Sequence, residues 1–89
     1  MTNILIVDDE ALVRSLLSRI LEKDGYHCTT ASDARAAWTC MKETHFNLLL
    51  SDIEMPGESG LDLIRSVKTE YPNTAIVMVT VIDGNQCGH

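Results

Sequence analysis

The chain has 89 residues, of which 45% are hydrophobic, and its formal net charge is −6. This length is sufficient for one domain with a small core, and the acidic charge argues against direct binding to DNA, RNA or anionic lipid. No apolar run approaches the roughly 20 residues that span a membrane. Because the sequence shows neither a signal peptide nor an anchor, we expect a cytoplasmic protein without membrane attachment.

The three cysteines, Cys28, Cys40 and Cys87, are odd in number and form no CxxC pair. They are typical of the reduced thiols of a cytosolic protein. The segments 27–28 and 87–89 combine Cys with His, but neither has the paired ligand spacing of a structural zinc site.

The apolar pattern predicts strands alternating with helices. Residues 3–8 form a short apolar run, typical of a buried strand. Residues 10–24 predict a helix that ends at Gly25, with a wide apolar stripe on one face. This stripe comprises Leu12, Val13, Leu16, Leu17, Ile20 and Leu21.

The same alternation continues to residue 80. A weaker strand at 26–31 precedes a helix that Ser32 or Asp33 can cap, whose inner face carries Ala34, Ala37, Trp38 and Met41. A strand at 47–52, a loop at 55–57, a helix at 59–71 and a strand at 74–80 follow. We expect one domain over residues 1–83 and a polar tail over 84–89. The order βαβαβαβ predicts an α/β fold, a mostly parallel sheet with helices on both faces.

Oxygen-bearing residues end three of the predicted strands. Asp8 and Asp9 follow the first, Asp52 ends the third and Thr80 ends the fourth. Because the carboxyl ends of parallel strands meet at one sheet edge, these side chains are expected to share a pocket. Taken singly, each acid also fits a turn or capping role, and Asp9 could cap the helix that starts near Glu10.

Converging carboxylates with no basic neighbour favour a bound cation, and Mg²⁺ prefers such oxygen ligands. Asp9 and Asp52 are the candidates for direct ligands, Asp8 would act through water, and a backbone carbonyl near Glu54 could add another oxygen. Asp52 could also attack phosphorus to give an aspartyl-phosphate. Thr80 could then donate its hydroxyl to a phosphoryl oxygen.

Three segments closely resemble the receiver domain of two-component response regulators: ILIVDDE at 4–10, LLLSDIEMPGESGLDLI at 48–64 and AIVMVT at 75–80. The resemblance implies a CheY-like, flavodoxin-like fold and a non-enzymatic phosphorelay module. It implies that Asp52 accepts a phosphoryl group from a histidine kinase or phosphotransfer protein, and that Asp8 and Asp9 form the Mg²⁺-binding pair. It further implies that Thr80 is the switch hydroxyl and that the carbonyl of Glu54 is a metal ligand.

The family pattern continues beyond the fourth strand with a helix, a fifth strand that ends in lysine, and a last helix, which this sequence lacks. Lys23, Lys42 and Lys68 all fall in predicted helices, so none matches that lysine. Without the last segments, the fourth strand becomes an exposed edge and the first helix loses a packing neighbour. Exposed edges favour pairing between chains, so we expect a homodimer or a domain-swapped oligomer.

Two other functions compete with a phosphoacceptor module. One is a non-signalling, receiver-like module that dimerises or sequesters a kinase. The other is a small phosphohydrolase with Asp52 as nucleophile, which is weaker because Glu54 stands where such enzymes carry a second aspartate, and because no basic phosphate binder is apparent.

Overall fold

The computed structural model describes residues 2–52 and 60–79. Seven elements alternate along this part of the chain: β1 (Asn3–Val7), α1 (Ala11–Lys23), β2 (His27–Ala31), α2 (Ala34–Glu43), β3 (Leu48–Asp52), α3 (Gly60–Glu70) and β4 (Ala75–Val79). Each predicted strand and helix is present, with ends shifted by a few residues at most. The predicted loop at 55–57 and tail at 84–89 lie outside the described residues, as do Glu54, Thr80 and Cys87.

The four strands form one parallel sheet in the order β2-β1-β3-β4. In the register of the central strands β1 and β3, Val7 lies opposite Ser51. In the register of β3 and β4, Asp52 at the end of β3 lies opposite Val79. The ends of β1 and β3 are therefore level, which places the residues that follow β1 beside the last residue of β3. The parallel α/β fold expected from the sequence is confirmed.

Apolar side chains alternate across the sheet and give it two cores. Leu5, Leu49 and Phe46 belong to the larger core, which also receives apolar side chains from α2 and α3. On the other face Ile4 and Ile6 form a smaller core with Leu50, Leu17 and Leu21. Helices therefore cover both faces, as the alternation of strand and helix predicts.

Helix α2 matches its predicted inner face closely. Ala34, Ala37 and Met41 are buried, and Trp38 is half-buried with its ring centroid 5.9 Å from that of Tyr71. Of the two candidate caps, Asp33 is the one observed, because its Oδ1 accepts a hydrogen bond from the Ala36 N–H at 2.8 Å.

Helix α1 matches its predicted stripe only in part. Leu17 and Leu21 pack against the sheet, but no residue of α1 is fully buried. The other side of the stripe is exposed: Leu12, Leu16 and Ile20 leave 83%, 58% and 51% of their surface accessible. Val77 of β4 is also 44% exposed. The stripe predicted from helical periodicity is thus packed on one side only, since periodicity marks an apolar face without showing what covers it.

Within residues 2–52 and 60–79, no helix is long and apolar enough to cross a membrane.

Candidate functional site

Three carboxylates meet where β1 and β3 end. One carboxylate oxygen from each of Asp8, Asp9 and Asp52 lies within 4.8 Å of the other two. The level ends of the neighbouring parallel strands bring Asp8 next to Asp52, and Asp9 follows in the turn toward α1. Asp8 is buried, Asp52 is half-buried and Asp9 is exposed. The cluster is therefore open to solvent on one side and enclosed by the sheet on the other.

Hydrogen bonds hold Asp8 at both its backbone and its side chain. Its N–H donates to the carbonyl of Ala31 at 3.1 Å, which extends the pairing of β1 with β2 by one residue. Its Oδ1 accepts from the Glu10 N–H at 2.8 Å, which closes the turn that leads into α1. The hydrogen bonds of the fold itself therefore fix the position of Asp8.

The sequence suggested Asp9 as a possible helix cap, and the structure assigns that position differently. The N-cap residue of α1 is Glu10, and no side chain caps this helix end. Asp9 precedes this N-cap residue by one position, so its carboxylate is not the cap. It lies in the acidic cluster instead.

The negatively charged carboxylates of Asp8, Asp9 and Asp52 repel one another. Burial raises the pKa of the Asp8 carboxyl above its usual value, and the carboxylates of Asp52 and Asp9 raise it further. The hydrogen bond from the Glu10 N–H opposes the shift, because it stabilises the charged form. A positive ion among these oxygens would relieve the repulsion.

Among the described residues, this cluster offers carboxylate oxygens as donors, and their arrangement suits a hard divalent cation. Mg²⁺ binds through one or two carboxylates and retains several waters. The exposed Asp9 and the half-buried Asp52 leave carboxylate surface accessible to water. The donor set therefore fits Mg²⁺ better than zinc, which takes Cys and His ligands in its structural sites.

Two predicted members of the site cannot be placed. Thr80 follows directly after Val79, the residue that lies opposite Asp52 in the sheet register, but Thr80 itself lies outside the described residues. Glu54 also lies outside them. The convergence of Asp8, Asp9 and Asp52 is observed, whereas the roles of all five residues remain predictions.

Arg14 was not among the sequence candidates, yet it contacts the site. Its Nη1 donates to the backbone carbonyl of Asp8 at 2.6 Å. Arg14 is not part of the predicted apolar stripe of α1. The sequence signal that could have identified Arg14 is its place in the first turn of α1, which follows directly after the acidic pair at the end of β1. This hydrogen bond joins α1 to the turn that carries Asp8 and Asp9.

Comparison with known proteins agrees with this architecture. The family model for the response regulator receiver domain matches residues 4–87. The chain belongs to the receiver domain family. Its parallel sheet and flanking helices accordingly form a CheY-like, flavodoxin-like fold.

This receiver chain is similar to protein PetR of Rhodobacter capsulatus, with 38% identity over 78 residues, which cover 88% of the chain and 32% of PetR. The chain thus spans about a third of the length of that curated relative.

Solved receivers share the fold closely. Response regulator TrrA of Thermotoga maritima, in a complex with Mg²⁺ and BeF, matches with a TM-score of 0.87 and 32% identity, over 98% of this chain and 76% of TrrA. A second structure holds TrrA in complex with the histidine kinase ThkA, with a TM-score of 0.85 and 34% identity over 93% of this chain and 72% of that one. The beryllofluoride-activated NtrC4 receiver domain dimer matches with a TM-score of 0.82 and 37% identity, over 88% of this chain and 64% of that receiver domain chain.

Proposed function

We propose that this receiver domain accepts a phosphoryl group on Asp52 from a histidine kinase or phosphotransfer protein in a cytoplasmic two-component phosphorelay. The observation that carries the proposal is the cluster of Asp8, Asp9 and Asp52 at the carboxyl edge of the sheet, within 4.8 Å. Family membership supports it, as do the Mg²⁺–BeF and histidine kinase complexes of TrrA. The free thiols of Cys28 and Cys40 are compatible with a reducing compartment.

In this proposal Asp9 and Asp52 bind Mg²⁺ directly, Asp8 acts through water and the carbonyl of Glu54 is a further ligand. Bound Mg²⁺ supplies positive charge that offsets the charge on the phosphoryl oxygens. Asp8 keeps a negative charge beside the ion, held in place by the N–H of Glu10. The hydroxyl of Thr80 donates to a phosphoryl oxygen once the group has arrived.

The transfer is a displacement at phosphorus. A carboxylate oxygen of Asp52 forms the new O–P bond while the P–N bond to the donor histidine breaks, and the bonding pair leaves with the imidazole nitrogen. The products are an aspartyl-phosphate and the donor histidine, whose imidazole nitrogen takes up a proton so that the side chain is neutral. We infer that the domain, assigned to residues 1–83 with 84–89 as a tail, acts as a stoichiometric acceptor rather than by turnover.

Incubation with acetyl phosphate and MgCl₂, followed by intact mass spectrometry, tests this function. We expect an adduct with the mass of one phosphoryl group that chelation of Mg²⁺ prevents. The variant Asp52→Asn should give no adduct. Asp33→Asn is the matched control, because asparagine is an equally good N-cap for α2 and the site is untouched. A wild-type adduct that survives in Asp52→Asn would overturn the assignment of the acceptor.

A second candidate function is supported by the exposed apolar side chains of α1. A receiver-like module that self-associates, as a homodimer or domain-swapped oligomer, would use such a surface. Absence of a phosphoryl adduct combined with a stable oligomer would favour this second function. Hydrolysis of a phosphoester without an adduct would instead favour a phosphohydrolase.

A further inference from the structure

Three hydrogen bonds join Asp8, Glu10 and Arg14 in pairs. The Asp8 Oδ1 accepts the Glu10 N–H at 2.8 Å, and the carbonyl of Glu10 accepts the backbone N–H of Arg14 at 3.1 Å. The side chain of Arg14 returns to the start of the turn, where its Nη1 donates to the carbonyl of Asp8 at 2.6 Å. Arg14, in the first turn of α1, is therefore bonded to both residues that flank Asp9 in the chain.

The side-chain bond from Arg14 acts on the peptide group between the two acids of the turn. The carbonyl of Asp8 belongs to this peptide group, which is planar. A donor that fixes the direction of the carbonyl therefore fixes the ψ angle of Asp8, one of the two soft dihedrals between the Cα atoms of Asp8 and Asp9. The second soft dihedral, the φ angle of Asp9, is constrained from the other side, because the N–H and the carbonyl of Glu10 are both bonded.

The position of the Asp9 carboxylate depends on this backbone. Asp8 is buried and its Oδ1 has a donor, whereas Asp9 is exposed. Within the residues that the structure describes, no hydrogen bond holds the Asp9 side chain. One Asp9 oxygen nevertheless lies within 4.8 Å of an oxygen of Asp8 and of Asp52. The backbone of the turn therefore places Asp9 in the cluster.

The charge of Arg14 and its hydrogen bond have opposite consequences for a cation at this site. Arg14 is half-buried, with its Nη1 on the carbonyl of Asp8. A guanidinium repels a nearby cation, so removal of the charge by itself would tighten Mg²⁺ binding. Removal of a contact that positions a ligand would weaken Mg²⁺ binding instead. The sign of the change in Kd therefore separates the two effects.

We propose that Arg14 is a positioning residue for the Mg²⁺ site, whose hydrogen bond to the carbonyl of Asp8 places the Asp9 carboxylate to bind the ion. The three aspartates bind Mg²⁺ in the proposed function, on which this role of Arg14 rests. Removal of a group that orients a metal ligand typically weakens binding by roughly 10–100-fold. Because Arg14 acts through the backbone, and the bonds of Glu10 remain, we expect the lower end of this range.

Titration with MgCl₂, followed by the amide chemical shifts in NMR spectra, measures the Kd of the metal alone. The variant Arg14→Met removes the donor and the charge but keeps an unbranched side chain of similar helix propensity. Its backbone N–H can still bond the carbonyl of Glu10, so the start of α1 is retained. We expect a Kd about tenfold higher than that of the wild-type protein.

Arg19→Met is the matched control. Arg19 is exposed on the same helix and lines the same groove as Arg14, but the bond to Asp8 comes from Arg14. The control removes the same charge, and because salt screens exposed charges its Kd should change by less than about twofold. Arg14→Lys keeps a positive charge and a donor, and its Kd should return to within about threefold of the wild-type value.

Hydrogen exchange in EDTA distinguishes a positioning role from a general loss of structure. The N–H of Glu10 reports the turn without metal, because it donates to Asp8 Oδ1. Its exchange with solvent should be faster in Arg14→Met than in the wild-type protein, while the amides of α2 exchange at unchanged rates. Equally faster exchange throughout the chain would overturn the positioning role, because Arg14 would then stabilise the whole fold.

A Kd of Arg14→Met that equals or falls below the wild-type Kd would also overturn this role, and so would equal losses in Arg14→Met and Arg19→Met. In these cases Mg²⁺ binding and the phosphoryl adduct of the wild-type protein would stand. A wild-type protein that shows neither would overturn the proposed function, and with it the role of Arg14. The wild-type measurements therefore distinguish the two failures.

Discussion

At the scale of single residues, three aspartates of identical chemistry occupy different environments in one cluster. Asp8 is only 3% exposed, whereas Asp9 is exposed and Asp52 is half-buried. The cost of a negative charge rises with burial and with proximity to like charges, so Asp8 bears the largest penalty. Its raised pKa means that the folded protein holds the Asp8 proton more tightly than the unfolded chain does. The resulting loss of stability is absent below the pKa of an ordinary carboxyl group. It grows as the pH rises and is complete above the raised pKa of Asp8 in the folded protein.

We therefore predict that Asp8→Asn stabilises the protein at neutral pH without divalent cations. Asparagine keeps an Oδ1 that can accept the Glu10 N–H but removes the buried charge. The expected gain is about 1 kcal/mol, or about 4–8 °C in Tm for a domain of this size. Thermal unfolding followed by circular dichroism in EDTA measures it.

The same variant should lose most of the stabilisation that MgCl₂ gives to the wild-type protein, because ligand binding to the folded state raises Tm. Asp33→Asn is the control and should change neither value, because asparagine is an equally good N-cap for α2 and the site is untouched. The gain of Asp8→Asn should also vanish in acid, where Asp8 is neutral. A gain that persists there would contradict the charge argument.

At the scale of elements, the two helices α1 and α2 have similar apolar periodicity but different surroundings. Their N-termini differ as well: Asp33 bonds the Ala36 N–H at the start of α2, whereas no side chain caps α1. Helix α2 is fixed locally by its cap and by burial of Ala37. Helix α1 is fixed by the turn at Asp8 and by Arg14. The sequence offered two candidates for the α2 cap, and only the backbone geometry selected one.

We predict that Asp33→Ala destabilises the protein by about 1 kcal/mol, the usual cost of removing an N-cap. Urea denaturation with an unchanged slope measures this loss of stability. Ser32→Ala leaves the observed cap bond intact and should cost less than half as much. Equal losses for the two variants would mean that Ser32 shares the capping role.

At the scale of the whole molecule, burial is decided by position relative to the sheet. Leu49 lies in the central strand β3 and is fully buried, whereas Leu12 lies on α1 and is 83% exposed. Both leucines belong to apolar runs in the sequence, Leu49 to a predicted strand and Leu12 to the apolar stripe of a predicted helix, and neither run states how far its side chains are covered. The central strands are covered on both faces, but α1 has only one covered side.

Leu49→Ala is predicted to lower the free energy of unfolding by about 2–5 kcal/mol, because it removes buried methyl groups and leaves a cavity. Leu12→Ala makes the same chemical change at an exposed site and should alter stability by less than about 0.5 kcal/mol. Urea denaturation at low protein concentration compares them without a contribution from self-association. A large loss in Leu12→Ala under those conditions would show that the Leu12 side chain packs against other parts of the monomer.

Much of this protein is determined by its sequence, because its signals are local. Short apolar runs and helical periodicity specify the alternation of strands and helices, and this alternation predicts a parallel sheet with right-handed crossovers. Because parallel strands end at one edge of the sheet, the sequence positions of the acids at the ends of β1 and β3 predicted that these side chains lie close together.

Only the tertiary structure decided what depends on distant neighbours. It buried Asp8 while leaving Asp9 exposed, brought Arg14 onto the carbonyl of Asp8, and left Leu12, Leu16 and Ile20 of α1 exposed. Periodicity reports which face of an element is apolar, but burial and charge interactions depend on what lies across from that face, and this information is spread over the whole chain.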